Sequence, residues 1–267
     1  MIQLENFCKC YGTEKAVDHL SFRVLPGQVL GLIGRNGAGK TSTLRALTGI
    51  IPPTSGKLSV DGFDVVEEPI QAKQRAAYVP DDPQLFNDLT VEQHLLFTAS
   101  VYGVASPTNK INELLDRFEL TEKRHSPASG LSRGMRQKLA ICCAYLHDPA
   151  ALLLDEPMTG LDPPGIRNLK QSIRENADRG AAVIISSHLL AMVEDICTHV
   201  LIIDRGQMKF HGSLEEIKAQ AQSSEFSSSE TSLEEVFFAA LGDCHSEIQQ
   251  VIGGTTTGPS TQASDSQ

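Results

Sequence analysis

The chain has 267 residues, 40% of them apolar and 21% charged, an ordinary balance for one large globular domain or a domain with a subdomain. Its formal net charge of −10 argues against broad nucleic-acid binding, which needs a basic surface. The longest apolar runs, 150–154 and 181–185, fall far short of the ~20 residues that span a bilayer. The opening MIQLENFCKCYG lacks the basic-then-apolar order of a secretion signal, so the chain is expected not to enter a membrane by itself.

Along the chain, MIQLENF (1–7), DHLSFRVL (18–25) and QVLGLI (28–33) read as strands, with a Pro26-Gly27 turn before the last. Residues 41–48 read as a helix that turns Leu44 and Leu47 inward, and KLSVDG (57–62) and AAYVP (76–80) as further short strands. From about 84 to 148 the character becomes helical. Thr90 and Gln93 have capping-box spacing ahead of Leu95, Leu96, Ala99, Val101 and Tyr102, and Ile111, Leu114, Leu115 and Phe118 recur at helical intervals. Continuous apolar strands then return at 151–154, 182–185 and 200–203, separated by helical segments, as buried parallel strands do.

The pattern implies an α/β core interrupted by a helical insert. A polar linker is expected at 222–232, then a short amphipathic helix at 233–241 with Leu233, Val236, Phe237 and Leu241 on one face. A disordered tail is expected at 242–267. The six cysteines form no C-x-x-C pair or zinc spacing and read as reduced thiols, Cys142 and Cys143 as small core residues of a helix.

The stretch GLIGRNGAGKTSTLRALTG holds five glycines beside one lysine. Gly34, Gly39, Lys40 and Thr41 fit G-x-x-x-x-G-K-S/T, after the strand VLGLI and before a helix. In such a loop the backbone N–H groups of Gly34, Arg35, Asn36, Gly37, Ala38, Gly39, Lys40, Thr41 and Ser42 can wrap phosphate oxygens, aided by the positive end of the helix. Lys40 is expected on the β- and γ-phosphates and the Thr41 hydroxyl on Mg²⁺. A second motif, Ala150-Ala151-Leu152-Leu153-Leu154-Asp155-Glu156-Pro157, is an apolar strand ending in two carboxylates. Asp155 is expected to hold Mg²⁺, usually through water, and Glu156 to polarise an attacking water.

Twenty-three residues before Asp155, Ser132 and Gly134 open a helix in LSRGMRQKLAICCAYL. Here the chain resembles the ATP-binding cassette (ABC) family, whose signature L-S-G-G-Q precedes R-Q: Leu131, Ser132, Gly134, Arg136 and Gln137 match, while Arg133 and Met135 depart. The resemblance spans roughly residues 2–240, and residues 1–240 are taken as one ATPase domain. It implies a P-loop NTPase core with an N-terminal antiparallel β subdomain and an inserted α-helical subdomain.

It also implies that ATP and Mg²⁺ bind, and that two copies, or one copy and a related ATPase subunit, sandwich ATP. The signature of each chain then closes over the γ-phosphate on the other. By the same resemblance Tyr11 stacks on adenine, Asp162 of TGLDP lies at the dimer interface, and His188 of SSHLL contacts the γ-phosphate; the other seven histidines read as structural. Where the family has a glutamine, AAYVPDDPQLF places Asp81, one methylene shorter and charged, with Gln84 beyond Pro83 as the alternative.

The GMRQK form of the signature and the late SLEEVFFAALGD look most similar to stand-alone ATPase subunits of bacterial-type exporters. These imply a separate polytopic membrane subunit and a cytoplasmic place on the inner face of the cell membrane. Leu85 and Phe86 are either core or part of a groove that receives that subunit. A soluble cassette acting on ribosomes or DNA is the alternative, but it calls for paired cassettes or basic patches. A GTPase fits less well, because Asn109-Lys110-Ile111-Asn112 ends wrongly for N-K-x-D. A small-molecule kinase would not need the signature helix.

Overall fold

The computed structural model describes residues 1–188, 190–216 and 233. The expected linker, C-terminal helix and tail lie outside the described residues, Leu233 excepted. Strands β1 (Ile2–Tyr11), β2 (Glu14–Val24), β4 (Ser55–Val60) and β5 (Phe63–Asp64) form an antiparallel sheet in the order β2-β1-β4-β5. The first two run well past the expected strands and meet at a two-residue turn carrying Gly12, whose φ is +60°.

The second sheet has the order β10-β9-β3-β8-β7-β6. Its strands are β3 (Val29–Ile33), β6 (Ala76–Val79), β7 (Ala151–Asp155), β8 (Ala182–Ser187), β9 (His199–Asp204) and β10 (Gln207–Ser213). All pairings are parallel except β10 on β9.

Both faces of this sheet are covered, which is why its central strands read as unbroken apolar runs. Alternation along each strand sends Leu30, Leu32, Leu153, Ile184, Leu201 and Ile203 to one face. There they pack with Leu44 and Leu47 of α1 (Lys40–Leu47) and with Phe7, Leu20 and Leu58 of the antiparallel sheet. Val29, Ile33, Leu152, Leu154, Val183, Ile185, Val200 and Ile202 face the other way, onto the helices. Each fully buried Leu or Ile contributes roughly 1.5–3 kcal/mol, so the sheet is a stiff platform. Gly31 belongs to this packing and not to phosphate binding: a Cβ there would stand 2.4 Å from Val193 of α7 (Leu190–Ile196).

Parallel register sets the carboxyl ends of β3, β7 and β8 on one edge, with Asp155 beside Ser186 and Ile33 beside Ser187. Ligands of open α/β sheets bind at such an edge.

The helical insert consists of α3 (Val91–Tyr102), α4 (Thr108–Arg117) and α5 (Arg133–Tyr145), with two short 3₁₀ turns between the last two. Thr90 and Gln93 form the expected capping box. Leu95 and Ala99 are buried, but Leu96 and Val101 of the same helix are exposed. Cys142 is buried as expected, whereas Cys143 is half-buried. Three elements have no counterpart in the sequence reading: the short β5, α2 (Pro69–Arg75), and β10, whose side chains are half-buried or exposed. Helix α6 (Pro163–Asp178) links β7 to β8.

Candidate nucleotide site

The loop after β3 runs directly into α1, whose first-turn N–H groups have no intrahelical partner. Gly39 makes the entry possible, with φ at +104° and room for no Cβ, which would stand 2.5 Å from the Ala16 carbonyl oxygen. The Lys40 ammonium donates to the carbonyls of Gly34 (2.6 Å) and Arg35 (3.2 Å). Burial lowers the Lys40 pKa, against the opposing pull of Glu156 and Asp155. Lys40 is therefore a desolvated cation held across its own loop, and a polyphosphate offers it a stronger partner.

The cleft in front of this loop has a volume of about 470 Å³. Of the residues singled out from the sequence it brings together Tyr11, Asn36, Gly37, Ala38, Gly39, Lys40, Thr41, Ser42, Asp81, Asp155 and Glu156. Gly34 and Arg35 contribute through the carbonyls that hold Lys40. Glu14 and Ala16, which carry no motif, complete the wall.

Asp155 is 3% exposed, and its two oxygens accept hydrogen bonds from the Ser186 hydroxyl and, at 3.3 Å, from the Tyr78 hydroxyl. Burial pushes the Tyr78 phenol up to about 12, so it stays a donor at any ordinary pH. Neither partner was identifiable from the sequence; the only hint is that Ser186 and Ser187 end an apolar strand just before His188.

Glu156 takes the left-handed backbone region, with φ at +45°. Its N–H reaches both the carbonyl (3.2 Å) and the hydroxyl (3.0 Å) of Ser186. Such a conformation costs of order 1–3 kcal/mol in a non-glycine residue and persists where its surroundings impose it. Glu156 lines the cleft, and its Oε2 meets His188 Nδ1 at 2.9 Å. His188 and Glu156 also line an adjoining cavity of about 230 Å³, with Met158 and Met192.

Tyr11 is half exposed, with its hydroxyl 3.4 Å from Ser42 Oγ. Lys9, buried and donating to the Pro52 carbonyl, sits 5.0 Å from the centroid of the Tyr11 ring. That contact backs one side of the ring and leaves the ring suited to stacking on a base.

Three expected site residues line neither this cleft nor the adjoining cavity. Ser132 caps α5 by accepting from the Met135 N–H (3.3 Å). Gly134 lies against the 159–162 loop, where a Cβ would stand 2.5 Å from the Gly160 carbonyl oxygen. Asp162 caps α6 and pairs with Lys138 at 3.2 Å. Gln84 bonds locally to Asp82, while Asp81 lines the cleft.

A separate group also escaped the sequence reading: Cys8, Asp18 and His19 place ligand-type atoms within 4.8 Å of one another. Asp18 is already held by Lys15, Gln207 and His19, which lower its pKa to about 2. This is an ion-pair network of the antiparallel sheet. The described cysteines are all free thiols.

A strand–loop–helix cradle with a buried lysine, facing a strand-end carboxylate pair and a histidine, defines a P-loop nucleoside triphosphatase. A family model described as ABC transporter matches residues 17–159. The chain is 33% identical over 222 residues to the ABC-type transporter ATP-binding protein EcsA of Bacillus subtilis, with 82% of this chain and 90% of that protein covered. It is 37% identical over 209 residues to the bacitracin transport ATP-binding protein BcrA of Bacillus licheniformis, with 78% and 68% covered. A solved structure described as the ATP-binding subunit of an ABC transporter matches with a TM-score of 0.85 at 31% identity, over 90% of this chain and 99% of that one. The chain belongs to the ABC transporter family as an ATP-binding subunit, and its reaction is the hydrolysis of ATP. Among the described residues no helix is long and apolar enough to cross a membrane.

Proposed function

We propose that this ATPase works as a pair, two copies or one copy with a related subunit, closed head to tail over two ATP molecules. The pair drives an exporter whose membrane-spanning part is a separate chain. The observation that carries the pairing is that Ser132 and Gly134 do not line the cleft of their own chain. A capped helix N-terminus suited to an anion therefore has no anion site within one copy. A twofold pair supplies it, each signature closing the other chain's cleft.

Within each site Lys40 holds phosphate oxygens and the Tyr11 ring takes the base. The Thr41 hydroxyl and the Asp155 carboxylate are hard oxygen donors that suit Mg²⁺, and the buried, doubly hydrogen-bonded Asp155 is fixed for that task. Bound there, the ion would neutralise phosphate charge. Glu156 accepts the proton of the attacking water, and His188 orients the Glu156 carboxylate. ATP and water become ADP and phosphate.

The export reading rests on the GMRQK signature and the late SLEEVFFAALGD segment. The likeness to a bacitracin transport protein supports a role in transport. We place the subunit in the cytoplasm, against the inner face of the membrane. The contact surface is the exposed apolar face of the insert, where Phe86 and Phe97 meet edge to face at 5.7 Å beside the Asp81 loop. A short helix of the membrane subunit fits such a surface.

Light scattering of Glu156→Gln with ATP and Mg²⁺ tests the pairing. A dimer that returns to monomer without nucleotide is expected. A strict monomer at high protein and ATP concentration overturns it.

A further inference from the structure

Asp81 and Arg133 are both departures from the family pattern, and they meet. Arg133 Nη2 lies 3.4 Å from Asp81 Oδ1, across 52 positions of sequence. Asp81 lines the nucleotide cleft, and Arg133 is the first residue of α5, between Ser132 and Gly134. The pair thus joins a chain's own ATP site to the signature that serves the opposite one.

Only the head group of Arg133 is loosely held. Its stem crosses Gly160, where a Cβ would stand 3.4 Å from the arginine Cγ and Cδ. Its guanidinium makes one long contact, and the two side chains are 58% and 49% exposed. Exposed pairs of this kind contribute little. The loop does not depend on Arg133 for its attachment either, because Arg136, one turn further on, donates to the Pro83 carbonyl at 3.3 Å. A guanidinium is better matched by phosphate, whose oxygens it binds as a two-pronged fork.

We infer that Arg133 is a phosphate-binding residue for the opposite chain's ATP, held in reserve by Asp81 until that ATP arrives. Asp81 thereby sets how readily two copies close. Without nucleotide its carboxylate masks the one cation in the first turn of the signature helix. On closure the guanidinium exchanges one anion for another, so closure answers to ATP and not to a free positive charge. The inference rests on the head-to-tail pairing and assigns its regulation.

The experiment measures ATP-dependent dimerisation by sedimentation in the Glu156→Gln background, with ATP binding to the monomer recorded alongside. Arg133→Gln is expected to weaken dimerisation about tenfold or more, the size of a lost charge-assisted contact. It leaves monomer binding of ATP within about twofold, because Arg133 serves the opposite chain's site. Arg133→Lys falls between Arg133→Gln and the parent, keeping charge but losing the fork. Asp81→Asn tightens dimerisation about two- to fivefold, the size of an exposed pair. The double variant behaves like Arg133→Gln alone, since Asp81 then has nothing to mask.

Unchanged dimerisation of Arg133→Gln overturns the inference. So does Asp81→Asn weakening dimerisation as Arg133→Gln does, or recovery in the charge swap Asp81→Arg with Arg133→Asp, since either makes the pair a structural tie. If Glu156→Gln alone forms no dimer, the pairing fails and the inference falls with it. A normal parent dimer with indifferent Arg133 variants sinks the inference only.

Discussion

Asp155 is 3% exposed and fixed by hydroxyls from two strands, whereas Asp81 is about half exposed and meets Arg133 through one contact of 3.4 Å. Both carboxylates line the same cleft. The first belongs to the sheet edge, where parallel register fixes Asp155 beside Ser186 and the α/β core allows little movement. The second belongs to the side of the helical insert, tied to it by side-chain contacts near the surface. Rigid geometry serves bond making, which loses rate steeply with small displacements. Weak, exchangeable contacts serve closure, which needs two arrangements of similar free energy. One cleft therefore has a tightly held wall and a loosely held one.

The sharpest break of this contrast is in the tightly held wall. Glu156→Gln is expected to lower kcat by about 10²–10⁴-fold, the usual share of a positioned base, while ATP binding stays nearly intact. Lys40→Ala should act the other way, weakening nucleotide binding because it removes a cation that meets phosphate before reaction begins. His188→Ala leaves Glu156 without its 2.9 Å partner and lowers kcat less than loss of the base itself. Steady-state kinetics with equilibrium ATP binding separates these cases. Hydrolysis by Glu156→Gln at the parent rate would remove Glu156 from its role.

Next in size is Ser186→Ala. The hydroxyl donates to Asp155 and accepts from the Glu156 N–H, so one oxygen orients both members of the carboxylate pair. Its removal leaves buried polar groups short of partners, at a cost of about 1–3 kcal/mol in stability. A fall of about tenfold in kcat/KM is expected, equivalent to ~1.4 kcal/mol at the transition state, with a raised Mg²⁺ requirement. Thermal unfolding and a Mg²⁺ titration of the rate check this. A destabilised protein with unchanged Mg²⁺ dependence would show that Ser186 supports the fold alone.

How legible each wall was in the sequence follows the same division. The loop at Gly34 and Lys40, the strand ending in Asp155 and the apolar strands beneath them are local patterns. Each is set by a backbone that must bury both faces or expose its N–H groups, so a linear reading finds it. Ser186, Tyr78 and Arg133 act across 31, 77 and 52 positions of sequence, through a strand order that no local pattern encodes. Strand β10 was missed because none of its side chains is fully buried, so hydropathy gives no alternation to read. Gly31 stands just ahead of the Gly34 loop and Gly134 within the signature, yet each is also needed for close approach, to Val193 and to Gly160, and sequence cannot separate those reasons.

The smallest effect on the isolated protein is expected at the loosely held wall, where two adjacent residues behave oppositely. Leu85 packs against the buried core of the helical side, while Phe86 is 60% exposed and rests edge to face on Phe97. The fold of the segment does not need the Phe86 ring. Its backbone N–H is held by His94 Nε2 at 3.1 Å, and that bond survives a change of side chain. Phe86→Asp should therefore cost no more than the aromatic contact, about 0.5–1.5 kcal/mol, and leave ATP hydrolysis near the parent rate.

Leu85→Asp, by contrast, buries a carboxylate against the core and should lower the unfolding midpoint clearly. Co-expression with the membrane subunit supplies the decisive reading. A folded, hydrolysing Phe86→Asp protein that no longer co-purifies with that subunit makes the exposed ring a docking contact. Normal co-purification would leave the Phe86 and Phe97 face without a transport role. Unfolding of Phe86→Asp would return the ring to the core, and the loosely held wall would then be more firmly held than its exposure implies.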